Sequence, residues 1–219
     1  MSLPGRRAQA ARNDEVILSA AREVFLADPK APIAAVAERA GVGISALYRR
    51  YPSKEDLLRR LCADGLGRFV AEAEAAKTET AQLEATGTPG DDEPGWRAFT
   101  GFLRRIVDAD VHSLTVRLAG TFTPTPEMRQ LAVHAGRLTD DLVRRAHAGG
   151  RLRADAVTAD ITLLLEACAA IRVPDPVRTV ELRRRLLAIQ LDGLTTAGPP
   201  LPGPAPSGAD LGWRWKPTG

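Results

Sequence analysis

The chain has 219 residues, 44% hydrophobic and 26% charged, with a formal net charge of +3. That length suffices for one large core or for a small module set on a larger one, and the composition reads as soluble and globular. The charge is uneven: residues 1–60 hold 11 Lys/Arg against 7 Asp/Glu, so the rest is close to neutral, and the excess points to an anionic partner near the N-terminus.

The opening stretch MSLPGRRAQAARNDE has no apolar run of the kind a signal peptide needs, and no later segment is long and uncharged enough to span a membrane. A cytoplasmic protein is therefore expected. Residues 1–12, with Arg6, Arg7 and Arg12, read as a flexible basic arm. A first helix is expected to open at Asn13, with Asp14 and Glu15 in its first turn, where unpaired N–H groups favour negative charge. Val16, Ile17, Ala20, Ala21, Val24 and Phe25 form its apolar side, and DPKAP ends it. IAAVAERA makes a second helix after Pro32 and closes at Gly41. A third runs from Ser45 to Tyr51, where Pro52 stops it. Ser53 followed by KED fits the cap of a long fourth helix extending toward residue 80.

Residues 86–95, TGTPGDDEPG, form a linker or loop. Further helices are expected over 96–109, 111–119, 126–148, 156–172 and 176–196, with breaks at TFTPTP, AGGR and VPDP. The final stretch, GPPLPGPAPSGADLGWRWKPTG, cannot be one continuous helix and reads as extended and loosely held. Trp213 and Trp215 flank Arg214 there and leave open a return onto the body. The expected architecture is all-α, divided at 1–12, 13–61, 62–197 and 198–219.

Cys62 and Cys168 each sit in an apolar helical pattern and are expected to be packed, reduced thiols. His112, His134 and His147 are scattered, without HExxH or cysteine metal spacing, and no glycine-rich nucleotide loop occurs. No metal, cofactor or catalytic site is expected.

Two short helices joined by Gly41-Val42-Gly43 are a helix-turn-helix pattern, whose second helix enters the major groove of DNA. Val36, Ala37 and Ala40 can pack inward, as can Leu47 and Tyr51 one turn apart. Ser45, Ala46, Tyr48, Arg49 and Arg50 are then left outward. The small Ser45 and Ala46 permit close approach to base edges, Arg49 can pair with guanine, and Tyr48 can reach a phosphate. Ile44 either packs inward or touches a thymine methyl. Lys54, just inside the fourth helix, would meet a phosphate together with the helix N-terminus.

The block IAAVAERAGVGISALYRRYPSKEDLL resembles the DNA-binding motif of the tetracycline-repressor family of bacterial transcriptional regulators. The resemblance covers about residues 13–61. It implies that the third helix reads operator DNA, that Tyr48 and Lys54 contact phosphates, and that the remaining helices form a ligand-responsive dimerisation domain. The sequence departs from the family pattern at Gly43, where Ser or Thr is usual, and at Pro32, where Thr is frequent. The expected function is a sequence-specific repressor released from a palindromic operator by a small molecule. A helical protein-interaction adaptor would explain the bundle but not the clustering of Tyr48, Arg49, Arg50 and Lys54.

Two further residue sets follow. The last two long helices carry more apolar face than a thin domain buries internally, so Ile161, Leu164, Leu165, Cys168, Leu182, Leu186 and Ile189 are candidate homodimer contacts. Phe69, Trp96, Phe99, Phe102, Leu103, Phe122, Met128, His134 and Leu138 are candidate walls of a small-molecule cavity, with His134 supplying a hydrogen bond. At the same spacing they are equally ordinary packing residues.

Overall fold

Helical periodicity along the chain is realised as ten α-helices in a computed structural model, which describes residues 3–86, 93–195 and 198–212. α1 (Leu3–Ala27), α2 (Ile33–Ala40) and α3 (Ile44–Arg50) form the N-terminal unit. α1 begins ten residues before Asn13, so the expected arm is helical from Leu3 onward. Pro4 is tolerated in a first turn, and Ala, Arg and Gln then propagate the helix without needing Asn13 as a cap. Ile17, Ala20, Ala21 and Phe25 of α1 close over Ile33, Val36 and Ala37 of α2 and over Leu47 and Tyr51, and all are buried.

α4 (Lys54–Thr86) runs through both halves of the molecule. Ser53 Oγ accepts from Asp56 N at 3.0 Å and the Ser53 hydroxyl donates to Asp56 Oδ2 at 2.7 Å, so Ser53 caps the helix start ahead of its acidic first turn. Leu57, Leu58, Leu61 and Cys62 of α4 belong to the N-terminal core, while Val70, Ala73 and Ala76 belong to a second. That second core is filled from α5 (Pro94–Asp108), α7 (Pro126–Ala148), α8 (Thr158–Ala170) and α9 (Pro176–Thr195). Cys168 lies within it, so each core contains one free, buried cysteine.

α6 (Val111–Leu118) joins the two. Its Leu114 and Leu118, with Phe122 beyond, pack into the N-terminal core although they come far after the helix-turn-helix, which ends at Arg50. The turn before α6 carries an ionic cluster. Asp110, at φ +50°, pairs with Arg183 of α9 at 2.5 Å and with Arg22 of α1 at 3.2 Å. Ser113 donates to the same carboxylate. Arg183 is almost fully buried and also donates to the carbonyls of Ile171 and Ala169, at 3.0 and 3.3 Å.

The C-terminal stretch is more structured than its proline content suggests. Arg153 donates to Pro199 O at 3.0 Å, and Leu201 N donates to Asp155 Oδ2 at 2.8 Å, so its start is held on the α7–α8 turn. A short helix, α10 (Gly208–Gly212), follows. Trp213 and Trp215 lie outside the described residues, as does most of the 86–95 loop.

Candidate nucleic-acid interface and interior cavity

The turn that presents α3 is set by one backbone conformation. Gly41 has φ +66°, a left-handed geometry that costs a residue with a Cβ about 1–2 kcal/mol. From there Gly41 N donates to Glu38 O at 3.1 Å and Val42 N to Ala37 O at 3.0 Å, the paired bonds of a Schellman motif. α2 ends and the chain turns at once into α3. Gly43 is the N-cap of α3 but has no side chain to accept a bond from its first turn.

Leu47 is fully buried and Tyr51 nearly so, which rolls the opposite side of α3 outward. Ile44 and Tyr48 are 40% and 46% exposed, large values for an isoleucine and an aromatic in so small a unit. Ser45 and Arg49 are exposed beside them, and Ala46 is half-buried at the edge. The outward face is therefore Ile44, Ser45, Tyr48 and Arg49, with one methyl-bearing contact, two hydroxyls and one guanidinium. Ile44 does not pack inward.

Two expected DNA contacts, Arg50 and Lys54, also have partners within the protein. Arg50 forms a fork on Asp14 of α1, Nε to Oδ1 at 2.8 Å and Nη2 to Oδ2 at 2.6 Å. Tyr51 donates its hydroxyl to Asp14 Oδ1 at 2.7 Å. Asp14 thus clamps the end of α3 to α1. Lys54 donates to the carbonyls of Ala31 at 2.7 Å and Pro29 at 3.1 Å, and its Nζ stands 5.1 Å from the Phe25 ring centroid. It fastens the α1–α2 loop and stacks a cation on an aromatic face.

The clamp makes a pH prediction. The hydrogen bond from Arg50, aided by the one from Tyr51, holds the Asp14 carboxyl below its ordinary value, while burial foremost pushes Tyr51 up to about 12 and keeps it a donor. A depressed folded-state value means that this stabilisation is complete above the unfolded value of about 3.9 and is lost as pH falls through the folded one. Asp14→Asn should lower the urea midpoint at pH 7. Between about pH 5 and 3 the variant should lose less stability than the parent chain, measured by far-UV circular dichroism. Parallel losses in both proteins would exclude the clamp as an acid-labile element.

The expected cavity walls are mostly solid core. Trp96, Phe99, Phe102, Leu103 and Leu138 are buried in the second core, and Phe69 meets Phe102 edge-on at 5.2 Å. Phe122 and Met128 pack against the other core, beside the N-terminal unit. His134 is at the surface, 3.3 Å from Glu74. A cavity of 240 Å³ does exist, between α4, α6, α7 and α8. Of the nine expected residues, only Phe69 lines it; its other walls include Leu66, Val111, His112, Thr115, Thr139, Ile161 and Leu165, with Gly65, Ala132 and Gly136. A larger hollow of 720 Å³ lies at the α7–α8 turn against Thr195, Gly198 and Pro200, but it is an open groove lined largely by Gly150–Asp155.

The dimer candidates divide similarly. Ile161, Leu165 and Cys168 are 1–3% exposed within the protomer and present no surface. Leu164, Leu182 and Leu186 are half-buried, and Ile189 is 59% exposed. Leu163 and Val177, which the sequence reading passed over, are also exposed, at 42% and 66%. Among the described residues no group of three or more His, Cys, Asp or Glu side chains could hold a metal ion, and no helix is long and apolar enough to cross a membrane.

Residues 17–61 match the profile of bacterial regulatory proteins of the tetR family. Residues 93–196 match the C-terminal domain of SbtR-like transcriptional regulators. Similar solved structures include a TetR transcriptional regulator from Streptomyces coelicolor, 25% identical, TM-score 0.55, covering 84% of this chain and 99% of that one. A TetR transcription regulatory protein from Mycobacterium vanbaalenii is 26% identical at TM-score 0.54, covering 87% and 99%. The TetR-like regulator LfrR from Mycobacterium smegmatis, solved in complex with proflavine, is 22% identical at TM-score 0.57, covering 88% and 99%; at that identity it shows the fold alone. No curated protein sequence matches the chain.

Proposed function

Because the chain belongs to the tetR family of bacterial transcriptional regulators, with its helix-turn-helix unit at the N-terminus, we propose that it is a homodimeric repressor, released from an inverted-repeat operator by a small molecule. The observation that carries the reading is the outward face of α3. Ile44, Ser45, Tyr48 and Arg49 stand clear of the protein on a helix whose other side is locked by Leu47, Tyr51 and the Asp14 clamp. In the major groove Arg49 addresses guanine, Ile44 a thymine methyl, and Tyr48 a phosphate oxygen. Arg50 and Lys54 act mainly by holding that helix in place.

Twofold symmetry would set two such faces about one helical turn apart on the duplex, and a dimer covering a promoter blocks access to it without a further partner. The outward apolar side chains of α8 and α9, Leu163, Val177 and Ile189, support that association in place of the buried Ile161, Leu165 and Cys168. The protein would act in the cytoplasm, where the operator lies. The cavity beside α6 is the place for an effector, since α6 touches both cores.

Selection of bound duplexes from a randomised library tests the reading. Enrichment of an inverted repeat is expected, with affinity falling steeply as salt rises. The chain should sediment as a dimer at micromolar concentration, and Ile189→Asp should shift it toward monomer. A library that yields no inverted repeat would overturn the proposal.

A further inference from the structure

We infer that the cavity between α4, α6, α7 and α8 takes a neutral molecule of one or two small rings carrying a hydroxyl or N–H group; this rests on the effector control proposed above and specifies its chemistry. The walls decide the charge. Leu66, Phe69, Val111, Ile161 and Leu165 supply apolar surface; no Asp, Glu, Lys or Arg lines the cavity, and His112 is the one titratable side chain in its wall. An ion entering it would give up hydration with no permanently charged side chain to meet it.

The volume decides the size. An apolar cavity of about 150 Å³ holds benzene. The 240 Å³ here therefore accommodates a substituted ring or a small fused pair, whereas a long acyl chain or a flat three-ring dye would overfill it.

The threonines decide the polarity. Thr139 is buried, and its hydroxyl donates to Ala135 O at 2.9 Å; Thr162 points its own toward Thr158 O at 3.5 Å. Both protons are committed within their helices, so the lone pairs are what these oxygens keep for a ligand. A ligand that brings a hydroxyl or N–H donor can use both lone pairs.

Entry is by way of α7, where Ala132 and Gly136 line the cavity and are exposed. Glycine is a poor residue for a helix interior. A Cβ at Gly136 would meet nothing within 4 Å, so no neighbour requires glycine there. What its absence of side chain provides is an open mouth.

Isothermal titration of the full chain with 4-propylphenol, propylbenzene, 4-propylbenzoate and proflavine tests the assignment. The phenol is expected to bind at least ten-fold more tightly than the hydrocarbon, the anion or the cation. Gly136→Leu should weaken phenol binding at least ten-fold with an unchanged far-UV spectrum. Gly136→Ala, which favours the helix, should weaken it in the same direction and stands in if the leucine variant misfolds. Thr139→Val should reduce phenol affinity at least five-fold while leaving propylbenzene unaffected. Equal or tighter binding of the carboxylate or of proflavine, no binding of any probe, or phenol binding indifferent to both glycine variants would each overturn the inference. Operator selection on the same preparation separates the two readings. Retained inverted-repeat preference with failed phenol binding removes only the ligand class, whereas loss of that preference removes the regulator reading whatever the probes do.

Discussion

Replacing Asp110 with alanine is expected to lower the unfolding free energy by about 3–5 kcal/mol. The loss comes from what stays behind. Arg183 is 4% exposed, and Asp110 is its only carboxylate partner among the described residues, at 2.5 Å. The carbonyls of Ile171 and Ala169 still accept from it, but they cannot neutralise the charge. Alanine must also adopt φ +50°, which aspartate tolerates better because its short polar side chain bonds locally. Asp110→Asn keeps an acceptor and that tolerance, and should cost about half as much. Combining Asp110→Ala with Arg183→Met should recover part of the loss, since removing a buried pair is cheaper than orphaning one member. Urea titrations followed by circular dichroism give all three values. A single-variant loss below about 1 kcal/mol would show that Arg183 finds water or another partner when Asp110 is gone.

Arg49→Ala should weaken operator binding by about 1–3 kcal/mol, or roughly five- to 150-fold, and should relax the preference at one base pair in each half-site. Arg49 is exposed and makes no ion pair among the described residues, so its guanidinium is available to a base edge at little internal cost. Its neighbour should behave differently. Arg50→Ala cuts the fork on Asp14 and is expected to lower thermal stability while leaving base preference intact. Tyr48→Phe should reduce binding to all duplexes alike, because a phosphate contact carries no sequence information. Titrations on the selected operator and on single-base variants resolve the three patterns. Unchanged base preference in Arg49→Ala would mean that α3 reads sequence through another residue.

The helix order and the α3 face could be read from the sequence because both are local. Gly41 and Gly43 bracket the turn, Leu47 and Tyr51 share the inward side, and exposure of Ser45, Tyr48 and Arg49 follows from rotation alone, whereas rotation leaves Ile44, at the helix start, open between inside and outside. Partners distant in sequence were hidden. A charged residue on a polar helix face looks the same whether it meets DNA or, as Arg50 does, an aspartate 36 positions earlier. Lys54 ends on backbone carbonyls, which leave no mark in composition. Asp110 and Arg183 are 73 positions apart. The cavity was misplaced for a different reason. Large aromatic side chains fill space, so Phe99, Phe102 and Trp96 mark solid core. The hollow lies where Gly65, Ala132, Gly136 and the threonines fail to fill it. In α8 apolar residues run nearly all round, so periodicity could not separate inward Ile161 and Leu165 from outward Leu163.

Cys62 and Cys168 divide the two cores between them. Burial pushes the Cys62 thiol up to about 12 and raises that of Cys168 as well. An alkylating reagent attacks the thiolate, so both sulfurs are nearly inert while their surroundings stay shut. Each becomes reactive only in the fraction of time its own neighbourhood opens. The chain thus contains two clocks, one behind α3 and one beside the α8–α9 pair, whose labelling rates time the opening of either core without any added probe.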